Sequence, residues 1–97
     1  MIDYTQRLAF APDVIVQTID GEALILKLQD EEVFSLNATG ARIAQLIGEG
    51  RRLDALIDIL TSEYGLSRSD VEREVDSLVQ ALLSKGLVIV DRDTGDA

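Results

Sequence analysis

Residues 14–37 read VIVQTIDGEALILKLQDEEVFSLN, and their pattern sets the architecture of the chain. β-branched residues dominate positions 13–19, which predicts a first strand. Asp20 and Gly21 then predict a tight hairpin turn, because glycine adopts a positive φ at little cost. Residues 23–28 carry leucine at every second position, which predicts a second strand with two distinct faces.

A third strand is predicted over residues 33–36, after the polar turn at residues 29–32. If the strands pair in chain order as an antiparallel meander, this third strand lies at an edge of the sheet. An unpaired edge accepts an incoming strand, so the third strand is a candidate binding element. The acids at positions 30–32 lack the spacing of a calcium loop, and we interpret them as a solvated turn.

Three helices are predicted after the strands. Asn37 is a good N-cap for the first, which ends at Gly48. The second stops near Gly65. The third begins after Ser67 and ends before Gly86. Apolar residues recur at helical spacing in the second and third helices: Leu53, Leu56, Ile57, Leu60, Val71, Val75, Leu78 and Leu82, with Val79 and Leu83 widening the last stripe.

The two ends of the chain carry weaker signals. Residues 1–12 have no periodic pattern and are expected to form an extended N-terminal arm that packs on the domain or on a second copy, which leaves a homodimer open. Residues 13–90 form the predicted domain, within which residues 87–90 are either a strand or a packed extension. Residues 91–97 are polar and are expected to be a flexible tail.

Composition argues against an enzyme. The 97 residues include no cysteine and no histidine. A thiolate nucleophile, a disulfide and an imidazole general base are therefore excluded, as are zinc sites built on cysteine or histidine. We expect no catalytic residue, no metal and no cofactor. No signal peptide and no membrane span are recognisable, so the cytoplasm is the expected location.

Charge argues against nucleic acid and anionic membranes as partners. The formal net charge is −9, and the arginines and lysines are scattered along the sequence. The third helix carries four acids in its first half: Asp70, Glu72, Glu74 and Asp76. Acids at a helix N-terminus stabilise the helix, and an acidic face that attracts a basic peptide is the functional alternative. A winged-helix DNA-binding regulator and a structural adaptor remain alternative interpretations.

Several segments together resemble the PqqD family. They are DGEALIL at 20–26, FSLNATGARI at 34–43, LTSEYG at 60–65 and the last helix over 72–86 with Leu87 after it. The resemblance spans about residues 13–90, and its specificity comes mainly from the order of the elements. It implies an α+β, winged helix-turn-helix-like fold, in which a three-stranded antiparallel sheet is followed by three helices.

The resemblance also implies a function. Such domains act as non-catalytic chaperones that bind the leader segment of a ribosomally synthesised precursor peptide. They present it to a modifying enzyme such as a radical SAM protein, a protease or a cyclase. The leader binds as an added strand beside the third strand, in a groove walled by the third helix. Carried over here, the expected peptide-binding residues are Val33, Phe34, Ser35, Leu36, Asp76, Val79, Gln80 and Leu83. Among these, Val79 and Leu83 are expected to contact apolar anchors, and Asp76 a basic residue.

Overall fold

The computed structural model describes residues 3–91. Its elements are β1 (Arg7–Phe10), β2 (Val14–Ile19), β3 (Glu22–Lys27), β4 (Glu32–Leu36), α1 (Ala38–Gly48), α2 (Leu53–Tyr64), α3 (Arg68–Ser84) and β5 (Val88–Asp91). The predicted α+β architecture, an antiparallel sheet followed by three helices, is confirmed. Within the described range, no helix is long and apolar enough to cross a membrane.

Strands β2, β3 and β4 form the predicted antiparallel meander, in that order. Asp20 and Gly21 both have positive φ, 52° and 80°, which is the geometry of a two-residue hairpin whose twist matches its strands. In the register, Val16 lies opposite Ile25, and Ile25 lies opposite Phe34. This row of side chains packs on the helices, while the residues between them point to the other face of the sheet.

The N-terminal arm contains a strand that its sequence does not reveal. β1 pairs antiparallel with β5, from Arg7 opposite Asp91 to Phe10 opposite Val88. Four residues are too few to show a periodicity, and the partner strand lies at the far end of the sequence. Residues 88–91 are therefore a strand, and the apolar side chains of the arm, Tyr4, Leu8 and Phe10, pack on the domain's own core.

The helix boundaries follow from their caps. The Asn37 side chain accepts a hydrogen bond from the Gly40 amide at 2.9 Å, which starts α1 directly after β4. The Ser67 hydroxyl accepts one from the Asp70 amide at 3.2 Å at the start of α3. Gly65 ends α2 with a φ of 65°. Because the Asn37 cap leaves no linker, the end of β4 and the first turn of α1 form one corner.

The core is aliphatic and lies between the sheet and the helices. Its largest fully buried side chains are Ile25, Ile43, Leu46, Ile47, Leu53, Leu56, Ile57, Leu60, Val75, Val79 and Leu87. α3 contributes a stripe to this core, and α1 packs on β3 and β4. These contacts fix α3 relative to β4, and that relation creates the site.

Candidate functional site

β4 lies at a free edge of the three-stranded sheet in the described part of the chain. Its side chains alternate as the pleat requires. Phe34 and Leu36 are half-buried and pack against the core, whereas Val33 and Ser35 are exposed. An edge strand presents every second amide and carbonyl to its surroundings, and these groups pair with any extended chain that lies beside them.

A groove of about 290 Å³ lies at the end of this strand, between β4, the start of α1 and one flank of α3. We call it the β4–α3 groove. It is lined by Ser35, Leu36, Asn37, Gly40, Ile43, Glu74, Ser77, Leu78 and Ala81. Its α3 wall is low because serine and alanine stand one helical turn apart, at positions 77 and 81. The small side chains leave space for those of another chain.

Gly40 forms part of the groove where α1 meets β4. A Cβ atom at this position would lie 3.2 Å from the Cβ atom of Leu36. The missing side chain therefore allows the first turn of α1 to pack closely against the end of the strand. It also keeps the corner between β4 and α1 open.

Two further depressions adjoin the β4–α3 groove. One, of about 240 Å³, lies at the β2–β3 hairpin, where Ile19, Glu22 and Leu24 line it, and it shares only Ser35 and Leu36 with the groove. The other is a small apolar pocket that shares Ile43 and Glu74 with it. The remaining residues of this apolar pocket are Thr39, Leu60, Tyr64, Leu66, Val71 and Val75. On the side of the helices, the β4–α3 groove thus continues into an apolar pocket.

The groove has opposite charges at its two ends. Glu74 lies on its α3 wall and has no ion-pair partner among residues 3–91. At the other end, the Lys85 ammonium lies 4.8 Å from the centroid of the Phe34 ring. Lys27 is held nearby, where its ammonium donates to the Lys85 carbonyl at 3.1 Å and contacts Asp30 at 3.2 Å. A bound peptide would meet a carboxylate at one end and an ammonium at the other.

The structure brings two of the predicted strand residues, Ser35 and Leu36, into the groove. The Phe34 ring lies under the Lys85 ammonium. Val33 is 57% exposed on the side of the sheet that faces away from the helices. All four belong to the edge strand. Their expected peptide contacts remain a prediction.

The predicted α3 residues do not line the β4–α3 groove. Val79 is only 1% exposed and belongs to the core. Gln80 donates to the Asp76 carboxylate at 3.1 Å, and Leu83 follows at helical spacing on the same flank. Asp76 lies near the N-terminal arm: partial burial raises the pKa of the Tyr4 hydroxyl, and the carboxylates of Asp76 and Glu72 raise it further. The peptide contacts expected of Asp76, Val79, Gln80 and Leu83 remain a prediction.

The residues of α3 that do face β4 are Glu74, Ser77, Leu78 and Ala81. Both flanks border the same buried stripe, so helical periodicity alone does not say which of them meets the strand. Ser77 and Ala81 are the small residues of the flank that lines the groove, and they stand one helical turn apart.

Sequence comparison assigns the family. A profile of the family described as coenzyme PQQ synthesis protein D (PqqD) matches residues 22–88, more than two thirds of the chain. The chain belongs to the PqqD family. The matched residues of this PqqD-family chain include β3, β4 and all three helices, and so include the whole β4–α3 groove.

Two solved structures are similar to this PqqD-family chain. One is TbiB1 in complex with the TbiA(beta) leader peptide, which is 35% identical, with a TM-score of 0.79 over 82% of this chain and 93% of that chain. The other is a lasso peptide synthetase B1 complexed with the leader peptide, which is 30% identical, with a TM-score of 0.78 over 86% and 98%. No curated protein matches the chain.

Proposed function

We propose that this chain binds the leader segment of a ribosomally synthesised precursor peptide and presents it to a separate modifying enzyme. The observation that carries the proposal is the free edge of β4 beside the β4–α3 groove. Both similar structures hold leader peptides, which supports the same ligand class here. The ligand would enter as a fourth strand of the sheet.

Strand addition divides the binding free energy into two parts. Main-chain hydrogen bonds along β4 contribute about 0.5–1.5 kcal/mol each, whatever the peptide sequence. Alternate side chains of the added strand point toward the helices, where the β4–α3 groove and the apolar pocket receive them. An apolar anchor beside Leu66 and Val71 and a second beside Leu78 would supply most of the selectivity.

The charges at the groove ends give the peptide a direction. A strand antiparallel to β4 passes Leu36 first and Phe34 later. Its earlier part would then lie near Glu74 and its later part near Lys85. We therefore propose a leader whose basic residue lies between two apolar anchors, the first beside Leu66 and Val71 and the second beside Leu78, and whose acidic residue follows them. Exposed ion pairs are worth about 1 kcal/mol or less, so they favour one orientation without dominating affinity.

The chemistry itself would belong to the partner. With no histidine and no cysteine, the chain has neither an imidazole base nor a thiolate. We propose that it is not an enzyme and that a radical SAM protein, a protease or a cyclase acts on the presented peptide. Since ribosomal precursors are made in the cytoplasm, the proposal places the chain there. The DNA-binding alternative is disfavoured, because a DNA-binding helix carries a basic surface. The first half of α3 instead carries Asp70, Glu72, Glu74 and Asp76.

The test is a calorimetric titration with the leader of the precursor encoded beside this chain's gene. A set of leaders, each methylated at one main-chain amide, separates strand addition from other binding modes. Because only every second amide of an added strand donates to β4, affinity should fall with a period of two residues. The leaders methylated at the intervening amides are the matched controls. Absence of binding, or a methylation pattern without this period, would contradict the proposal.

A further inference from the structure

The outer face of the three-stranded sheet is apolar. Val33 on β4, Leu26 on β3 and Ile15 on β2 lie opposite one another in the register and form a row across all three strands. Leu24 extends this face along β3, and Ile19 extends it along β2. The exposed fractions are 46% for Ile15, 54% for Ile19 and 57% for Val33. No described element packs on this face, and we call it the outer face.

These residues form one patch. Directly opposed side chains on neighbouring strands have Cβ atoms about 4.5–5.5 Å apart, so the row is continuous. Single exposed apolar residues are ordinary, but a contiguous apolar patch with a polar border is typical of an interaction site. The core does not need these side chains, because it lies on the opposite side of the sheet.

The border of the outer face is acidic. Three exposed acids, Asp20, Glu22 and Glu31, lie at its ends, and Lys27 is the only basic residue between positions 13 and 36. Lys27 points to the inner side, where it contacts Asp30 and the Lys85 carbonyl. Asp20 and Glu22 flank the patch at one end, and the turn at residues 30–32 flanks it at the other. A second copy of this chain would bring two such acidic borders together, which disfavours self-association through this face.

We infer that the outer face docks the modifying enzyme, through an apolar surface of that enzyme bordered by lysine and arginine. This inference rests on the proposed function. Because a leader would lie along the edge of β4 and in the β4–α3 groove, the outer face stays open while the peptide is held. One small sheet thus serves two partners, the leader at its edge and the enzyme on its face.

The test uses the purified modifying enzyme encoded beside this chain's gene, immobilised for binding measurements with the full chain. The variant Ile15→Lys/Ile19→Lys changes β2, the strand farthest from the leader edge. We expect enzyme affinity to fall by about tenfold or more and leader affinity to stay within about twofold of wild type. Ile89→Lys is the matched control, since Ile89 is 49% exposed but lies on β5, in the other sheet. If the lysine variant does not fold, the variant Ile15→Thr/Ile19→Thr is used in the same measurement, because threonine is also β-branched and suits a strand.

The outcomes separate this inference from the proposed function. Undiminished enzyme affinity of the outer-face variant, equal loss in Ile89→Lys, or no enzyme binding by the wild type would overturn the inference. So would a wild-type homodimer in sedimentation that the outer-face variant dissociates, because the occupant would then be a second copy. If the leader does not bind while enzyme binding depends on Ile15 and Ile19, the docking inference stands and the proposed function fails.

Discussion

α3 has two flanks of similar composition that differ in what lies beside them. The groove flank consists of Glu74, Ser77, Leu78 and Ala81 and faces β4. The far flank consists of Asp76, Gln80 and Leu83, and its Asp76 lies near the N-terminal arm. Each offers an acid, a polar residue and a leucine. The difference teaches that the position of the edge strand, and not the composition of the helix, decides which flank of α3 lines the β4–α3 groove.

The largest expected effect comes from filling the groove. Ala81→Arg places a long side chain in the path of the leader and should weaken leader binding about a hundredfold, or about 2.8 kcal/mol. Leu83→Arg introduces the same side chain on the far flank and should leave affinity nearly unchanged. Calorimetry on the two variants, with thermal melts to confirm folding, checks this. The reverse order of the two effects would show that the leader lies on the far flank.

Val79→Ala separates the core from both flanks. Val79 is 1% exposed, so the loss of two methyl groups should lower the free energy of unfolding by about 2 kcal/mol. The folded variant should bind the leader as the wild type does, because the side chain does not reach the groove. Urea denaturation and a leader titration below the transition measure the two quantities. If stability were unchanged and leader binding weaker, Val79 would contact the leader and not serve the core alone.

Charge reversal distinguishes the flanks by electrostatics. Glu74→Lys should weaken binding of a leader with a basic residue by up to about fivefold and reduce the salt dependence of binding, since exposed ion pairs contribute about 1 kcal/mol or less. Asp76→Lys makes the same change in net charge on the far flank. The difference in affinity between low and high salt should therefore be smaller than in the wild type for Glu74→Lys and close to that of the wild type for Asp76→Lys. Equal effects would mean that only net charge matters.

The smallest expected effect concerns the scaffold that holds the corner. Arg42 on α1 donates to Glu63 on α2 at 3.0 Å, and these hydrogen bonds hold the pKa of Glu63 below its ordinary value of 4.5. The pair therefore contributes stability above pH 4.5, and this contribution is lost as the pH falls through the lowered pKa. Glu63→Gln should be slightly less stable than wild type at neutral pH, with the difference shrinking in acid.

Denaturation curves at several pH values test this, with Glu31→Gln as the control. Glu31 is exposed in a turn, and its carboxylate has no salt bridge within residues 3–91. A stability difference for Glu63→Gln that does not change between neutral and acid pH would contradict the role of the ion pair.

Most of the fold could be predicted because its signals are local. The Asp20–Gly21 turn, the Asn37 and Ser67 caps and the glycine at position 65 lie where the sequence places them. β1 could not be predicted, since its pairing with β5 joins the two ends of the chain and four residues show no period. Turn and cap residues determine where helices and strands begin and end, but they do not reveal which distant segments pair.

The site could be predicted only in part for a related reason. β4 follows from the order of the strands, so its place at the sheet edge was accessible. The choice between the flanks of α3 depends on how the helix packs over the corner of β4 and α1. Gly40 shows this dependence, because its contact with Leu36 exists only in the folded structure.

Amide hydrogen exchange on the two edge strands tests the central claim most directly. β2 and β4 are both edge strands of the same sheet, and every second amide of each points away from its partner β3. If the leader adds to β4, the outward amides between Glu32 and Leu36 should exchange markedly more slowly when leader is present. Those of β2 should exchange as they do in the free protein. Protection of β2 instead, or no change in β4 when the leader is saturating, would contradict the account.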